Sequence, residues 1–299
     1  LRERVLAQKG QLNSPIHTIM SAPLTIISEQ ASIYEALLKM EEHGVRHLAV
    51  EDRNGKVVSV IDNKSLVQFQ RYGPIVINRE IARAASAQEV SQSTEKTPAL
   101  VKTLIESSSR PRHVTNLLAS ICDAVTIRLV ELAVEEMGPT PLPFAFIAMG
   151  SQGRQELTLT TDQDNGIIYQ DSAEKDMDAV QTYFLQLGQK VSDGLNQAGY
   201  QYCRGGVMAS NPRWCRSLSD WKIRGKEWII KSEAQEIIDF NIFFDLRTVY
   251  GKEELSQELK QVIFSTVTEH PAFLHHLAKN AVSFKPPIRL PVTIYFGVG

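Results

Sequence analysis

Two short apolar runs, FAFIAM at 144–149 and NGIIY at 165–169, bracket the segment GSQGRQELTLTTDQD. The first run is bounded by Pro143 and Gly150, the pattern of a buried strand, and the second reads as another strand. The segment between them must hold Asp162 and Asp164 one residue apart. In a strand, residues i and i+2 project from the same face, so their Cα atoms lie roughly 6.5–7 Å apart and Gln163 points away. Two carboxylates side by side repel and raise each other's pKa unless a cation is present. A sheet core has no use for such a pair. An oxygen-rich site of this kind suits Mg²⁺, which favours a few carboxylates completed by phosphate oxygens and water.

Gly150 and Ser151 supply the other half. Glycine lets the backbone come close to a phosphate, and the exposed N–H groups and the Ser151 hydroxyl can donate to it. Arg154 adds a planar cation for phosphate oxygens. The reaction this implies is in-line attack on the α-phosphate of a nucleoside triphosphate, with pyrophosphate leaving. A plainer reading makes TDQDNG a polar loop, Gly150 a turn and Arg154 a surface residue; the ordered combination argues against it. Counted from Asp162, Gly166 is fifth and Ala173 twelfth, which excludes an EF-hand, and no G-x-x-x-x-G-K-[ST] occurs.

The length, 299 residues, suggests about two domains, and a net charge of −2 favours neither nucleic acid nor an anionic membrane as partner. Three cysteines, Cys122, Cys203 and Cys215, form no C-x-x-C pair, which fits a reduced, cytoplasmic setting. No stretch approaches the ~20 apolar residues of a membrane helix. LRERVLA and RLPVTIYFGVG read as cut ends, so the chain reads as a fragment of a longer protein.

The organisation expected is multidomain α/β. Residues 1–14 read as a tail of something preceding. In 15–72, SIYE forms a capping box between Ser32 and Glu35, a helix runs to Gly44, and two short strands flank an Asn-Gly turn before a short helix at 64–70. Residues 73–138 form a helical connector, with PALVKTLIESSS as one helix and a long one ending at Gly138-Pro139. Residues 139–224 form an α/β core with a small mixed sheet, a helix at 176–198, and YQYCRGGVMA as a further strand. Residues 225–299 read as a helical, substrate-binding segment, FFDLRTVY included, truncated at its end.

Other features argue for structure rather than chemistry. Gly44 separates His43 from His47 on any helix, and the adjacent His275 and His276 face different ways. Cys203 and Cys215 have no histidine at ligand spacing. Trp214, Trp221 and Trp228 recur every seven residues, a helix seam suited to core packing.

The stretch MGSQGRQELTLTTDQDNGIIY resembles the signature of the nucleotidyltransferase superfamily, in which Gly-Ser precedes an Asp-x-Asp pair by about ten residues. More closely, it is similar to the family found behind CBS or cyclic-nucleotide-binding domains and compared with the PII-protein uridylyltransferase. The resemblance continues through GGVMASNPRWCRSLSDW and FFDLRTVYG, over roughly residues 95–285. It implies that Gly150 and Ser151 hold nucleotide phosphates, that Asp162 and Asp164 hold Mg²⁺ and carry catalysis, and that a PII-like protein is a candidate acceptor. The superfamily usually has a third carboxylate on a later strand, and YQYCRGGVMA carries none. Asp245 is a candidate substitute, weighed against a helical ion pair with Arg247 or a nearby lysine.

Residues 15–70 resemble a CBS repeat, through EALLKM and HGVRHLAV, and LRERVLA within residues 1–14 then looks like the last helix of an upstream CBS repeat. Such repeats work in pairs, implying a homodimer and an adenine nucleotide between the repeats. This copy has Ser59 where glycine is usual, and Asp62 to Ser65 (DNKS) replaces the ribose-binding Thr/Ser-x-x-Asp. The function these readings imply is CBS-regulated nucleotidyl transfer in signal transduction. The alternatives are nucleotide sensing without turnover and, more weakly, a structural signalling scaffold.

Overall fold

The computed structural model describes residues 15, 23–31, 33–64, 74–106, 111–231, 240–271, 273–275 and 277–278. The chain divides after Gly73 into two compact units.

The first unit is built on a three-stranded sheet. β1 (Ile26–Ser28) runs parallel to β2 (His47–Glu51), and β2 pairs antiparallel with β3 (Val57–Asp62), in the order β1-β2-β3. The Asn-Gly turn between β2 and β3 is closed by Asp52, whose Oδ1 accepts from the N–H groups of Asn54 and Lys56 at 2.9 Å each. Helix α1 (Ile33–Glu42) buries Ala36 and Met40 against Ile27 and Leu48. β1 was not expected from the sequence; at three residues it is too short to show a period. Ser32 of the capping box, most of the 64–70 helix including Ser65, and the stretches LRERVLA and RLPVTIYFGVG lie outside the described residues.

The second unit starts with four helices: α2 (Pro74–Arg83), α3 (Ala87–Thr94), α4 (Thr97–Glu106) and the long α5 (Pro111–Met137). A four-stranded mixed sheet follows, made of β4 (Phe144–Ala148), β5 (Asn165–Tyr169), β6 (Cys215–Ser217) and β7 (Arg247–Gly251), in the order β6-β5-β4-β7. β4 is antiparallel to both β5 and β7, while β5 and β6 are parallel. Between strands lie a single helical turn, α6 (Gly150–Gly153), and helices α7 (Met177–Gln197) and α8 (Leu218–Lys231); α9 (Glu253–Glu269) follows β7.

The apolar runs of β4 and β5 follow from burial on both faces. Phe144, Phe146, Ile167 and Tyr169 point into one core with Ile121 and Val125 of α5 and Phe184 and Val191 of α7. Ala145, Ile147 and Ile168 alternate into a second core with Trp221 and Trp228 of α8, Phe243 and Leu259. Each such side chain, fully buried, contributes about 1.5–3 kcal/mol. The helices of 73–138 therefore share a core with the sheet.

Two expected elements are corrected. YQYCRGGVMA is not a strand: residues 201–208 run irregularly through a turn in which Gly206 has φ +67°. Isolated backbone bonds, Gln163 N to Gln201 O and Asn165 N to Val207 O, take the place of a ladder. Second, FFDLRTVY is not one helix. Residues 240–244 are helical, and the chain then becomes β7, covering the otherwise open edge of β4. The tryptophans do meet, with ring centroids 5.7–6.3 Å apart and all three buried. Trp214 nevertheless precedes β6, so the seam is not a single helix.

Candidate functional site

β4 delivers the chain to Gly150, whose φ of +52° turns it sharply into α6. A Cβ there would stand 2.6 Å from Asp164 Oδ2, so only glycine lets the turn sit against that carboxylate. At Gly153 an added Cβ would strike the carbonyl oxygen of Asp245. Both glycines of GSQG are thus required by close approach. The Met149 N–H donates to the Asp164 carbonyl at 2.8 Å, tying the start of the turn to the aspartate segment.

Asp162 and Asp164 stand in the extended lead into β5 rather than inside it, yet the alternation expected of a strand holds. Both are half-buried, whereas Gln163 is 3% exposed and turned inward. Gln163 Nε2 donates to the carbonyls of Ser192 (3.0 Å) and Tyr200 (2.9 Å). Asn165 Oδ1 accepts from the Ala209 N–H at 2.8 Å. The residues on either side of Asp164 are therefore pinned by buried amides, which fixes the backbone that carries its carboxylate.

The electrostatics of the pair are unfavourable without a cation. Burial, and then the Asp162 carboxylate, push the Asp164 carboxyl up to about 6. Two groups ease this: the Cys203 thiol, whose Sγ donates to Asp164 Oδ1 at 3.4 Å, and the Arg154 guanidinium. Cys203 itself is pushed up to about 11 by burial, which keeps it a protonated donor to Asp164. Arg154 is already engaged: Nη1 donates to Asp245 Oδ2 at 2.5 Å and Nε to Glu156 Oε2 at 2.8 Å. Asp245 thus pairs with Arg154, across 91 residues, and not with Arg247 or a lysine as the helical reading had it.

The structure brings Gly150, Asp164, Asp162 and Arg154 together, with Ser151 half-buried in the same turn. Asp245 reaches the same neighbourhood from the start of β7. The third strand of the sheet, β6, carries no carboxylate. Among the described residues no group of three or more His, Cys, Asp or Glu is arranged to hold a metal. The donor set is two hard carboxylates, which fits Mg²⁺, an ion that keeps several waters and takes further oxygens from a phosphate. Two open grooves, of about 670 and 570 Å³, are lined by other residues, Lys190 and Asp193 in the first and Asp171 and Asp220 in the second. The feature that singles out Asp164 is charge, not concavity.

Sequence reasoning missed Cys203 and two residues behind the turn. Asp123, on α5, accepts from Gln152 Nε2 at 3.1 Å and pairs with Arg247 at 2.9 Å. Nothing local marks Asp123; its neighbours in ICDAV read as a helix face. Cys203 could have been noticed only by placing the 201–208 segment beside Asp164.

Comparison with known proteins gives two family matches along the chain. Residues 95–235 match the family described as "Putative nucleotidyltransferase DUF294", and residues 16–72 match the CBS domain. The match to that family thus follows the match to the CBS domain along one chain. The family match includes Gly150, Ser151, Arg154, Asp162 and Asp164, and ends before Asp245 and β7. A similar curated protein, the uncharacterized protein MK0525 of Methanopyrus kandleri, is 29% identical over 65 residues, 22% of this chain. The chain spans about a third of that protein's length. No helix among the described residues is long and apolar enough to cross a membrane.

Proposed function

We propose that the chain is a CBS-regulated nucleotidyltransferase that moves a nucleoside monophosphate from a triphosphate to an acceptor hydroxyl. The observation that carries this reading is the Asp162–Asp164 pair, with no dedicated cation among the described residues and with Asp164 packed against the Gly150 turn. Asp162 and Asp164 would hold Mg²⁺, which supplies charge neutralisation of the triphosphate and polarisation of its α-phosphorus. The Gly150–Gly153 turn gives the phosphates close backbone access, and the Ser151 hydroxyl can donate to them. Arg154 remains half-exposed and can turn one face of its guanidinium to phosphate while Asp245 and Glu156 hold the rest. The acceptor oxygen attacks the α-phosphorus, the bond to the pyrophosphate oxygen breaks, and the acceptor proton passes to a base.

The acceptor is a protein of PII type by resemblance, with UTP or ATP as donor. The CBS domain would report an adenine nucleotide to the transferase, and a second copy of the chain would complete its pair of repeats. Together these make the protein a signalling component of the cytoplasm.

A second reading is favoured by one observation. β6 has no acid, and Asp245 is bound to Arg154, so the base for the acceptor proton has no free carboxylate assigned to it. On that reading the core binds Mg²⁺-nucleotide as a sensor without turnover. Incubation with labelled ATP and UTP plus Mg²⁺ separates the two. Pyrophosphate release supports transfer; binding without release supports sensing. No Mg²⁺-dependent binding of either nucleotide overturns both.

A further inference from the structure

We propose that Asp123 and Arg247 are positioning residues that hold the Gly150–Gly153 turn in its phosphate-accepting shape before any nucleotide arrives; this rests on the nucleotide reading above. Gln152, the third residue of the turn, is only 5% exposed, and both of its polar ends are held. Its side-chain Nε2 donates to Asp123 Oδ1 at 3.1 Å, and its backbone carbonyl accepts from Arg247 Nη2 at 3.2 Å. The same Nη2 donates to Asp123 at 2.9 Å, which closes a three-residue ring of hydrogen bonds. The three members come from three elements: α5, the turn itself and β7.

Register explains how they meet. Arg247 opens β7 directly opposite Ala148, the last residue of β4, so its side chain emerges beside the turn that follows Ala148. Two residues earlier, the Asp245 carbonyl lies against Gly153 with no room for a Cβ between them. The turn is thus gripped by the entry to β7 on one side and by Asp123 on the other. Charge-assisted bonds of this kind are about twice as strong as neutral ones, and the planar Nη2 group shared between Asp123 and the Gln152 carbonyl also fixes direction. Unlike the Asp162–Asp164 pair, Asp123 has its cation in place, so nothing here calls for a ligand. Its effect on phosphate binding passes through the backbone of Gln152: a turn already ordered spares the binding step the loss of conformational freedom.

The test uses the full chain and three conservative variants, Asp123→Asn, Arg247→Lys and Gln152→Met. A lysine keeps the charge beside Asp123 but lacks the planar Nη2 amino group whose N–H bonds serve Asp123 and the Gln152 carbonyl together. Amide hydrogen exchange across 150–153 and the Kd for Mg²⁺-ATP or Mg²⁺-UTP are read alongside the melting temperature and the Kd for Mg²⁺ alone. We expect faster exchange in the turn, and triphosphate binding weaker by about tenfold, the scale of losing a partner that orients a ligand-binding group. Binding of Mg²⁺ alone should stay at the wild-type value. The double variant Asp123→Asn/Arg247→Lys should be no worse than the poorer single one, because both break one ring. A merely structural role would lower the melting temperature and leave the triphosphate Kd unchanged, and that result, or additive effects in the double variant, overturns the proposal. Should Asp123→Asn fail to fold, Arg247→Lys and Gln152→Met carry the same comparison. A wild-type chain that binds no Mg²⁺-nucleotide overturns the functional reading and this inference together; a wild-type chain that binds, with variants that bind equally well, overturns this inference alone.

Discussion

Two acidic centres flank the Gly150 turn, and they are opposites. Asp123 lies behind it with a guanidinium 2.9 Å away and a glutamine amide as second donor. Asp164 lies in front with another carboxylate as neighbour, a thiol as its hydrogen-bond donor, and an arginine already shared by Asp245 and Glu156. The first centre is compensated within the fold and serves as scaffold. The second costs the fold something, since a buried carboxylate beside a like charge resists ionising. That unpaid charge is what a ligand-bound cation would relieve, and it separates a binding site from an ordinary ion pair.

The sharpest way to break this comparison is to remove the front pair. Asp162→Asn combined with Asp164→Asn should abolish Mg²⁺-dependent nucleotide binding, a larger loss than the roughly 10–100-fold expected when an orienting partner is removed; calorimetric titration with Mg²⁺-ATP and Mg²⁺-UTP reads it. Gly153→Ala should come next. Its methyl group meets the Asp245 carbonyl, so the turn or the entry to β7 must shift, at about 1–3 kcal/mol of stability measured by denaturant unfolding.

Stability and function should also part company at Asp164. Its carboxyl is raised from 3.8 to about 6, so the folded chain holds more protons than the unfolded one between those values. Stability through this group therefore rises as pH falls from about 6 towards 4, and the penalty is fully present above 6. Asp164→Asn should raise stability at pH 7.5 by on the order of 2 kcal/mol while weakening Mg²⁺ binding. Thermal melts at pH 7.5 and pH 4.5 check the sign: the gain should shrink at the lower pH. The smallest effect belongs to Glu156→Gln. Glu156 is exposed, its bond to Arg154 is a surface ion pair, and its loss should change stability by less than about 1 kcal/mol in the same melts.

What the sequence revealed divides along the same line. The front centre was legible because it is local. Strand, turn and aspartates fall within about twenty-five residues, and a period of two puts Asp162 and Asp164 on one side and Gln163 on the other. The helices α5 and α7 and the strands β4 and β5 were read nearly to the residue for the same reason. The rear centre was hidden because Asp123 and Arg247 are 124 residues apart. β7 was hidden too: RTVYG continues a helix-like stretch, and only the open edge of β4, a hundred residues earlier, makes it a strand. The 201–208 segment failed in the other direction. Its Tyr, Cys, Val and Met suggested a strand, but the turn at Gly205-Gly206 leaves no run long enough to pair.

The central claim is that Asp164 is a carboxylate short of a cation. Its titration, followed by carboxyl-carbon NMR in the full chain with and without Mg²⁺ and nucleotide, measures this directly. The account predicts an apparent pKa near 6 alone, falling well below that when Mg²⁺ and a nucleoside triphosphate are added. A value near 4 without metal, or one that does not move when both are added, would contradict it.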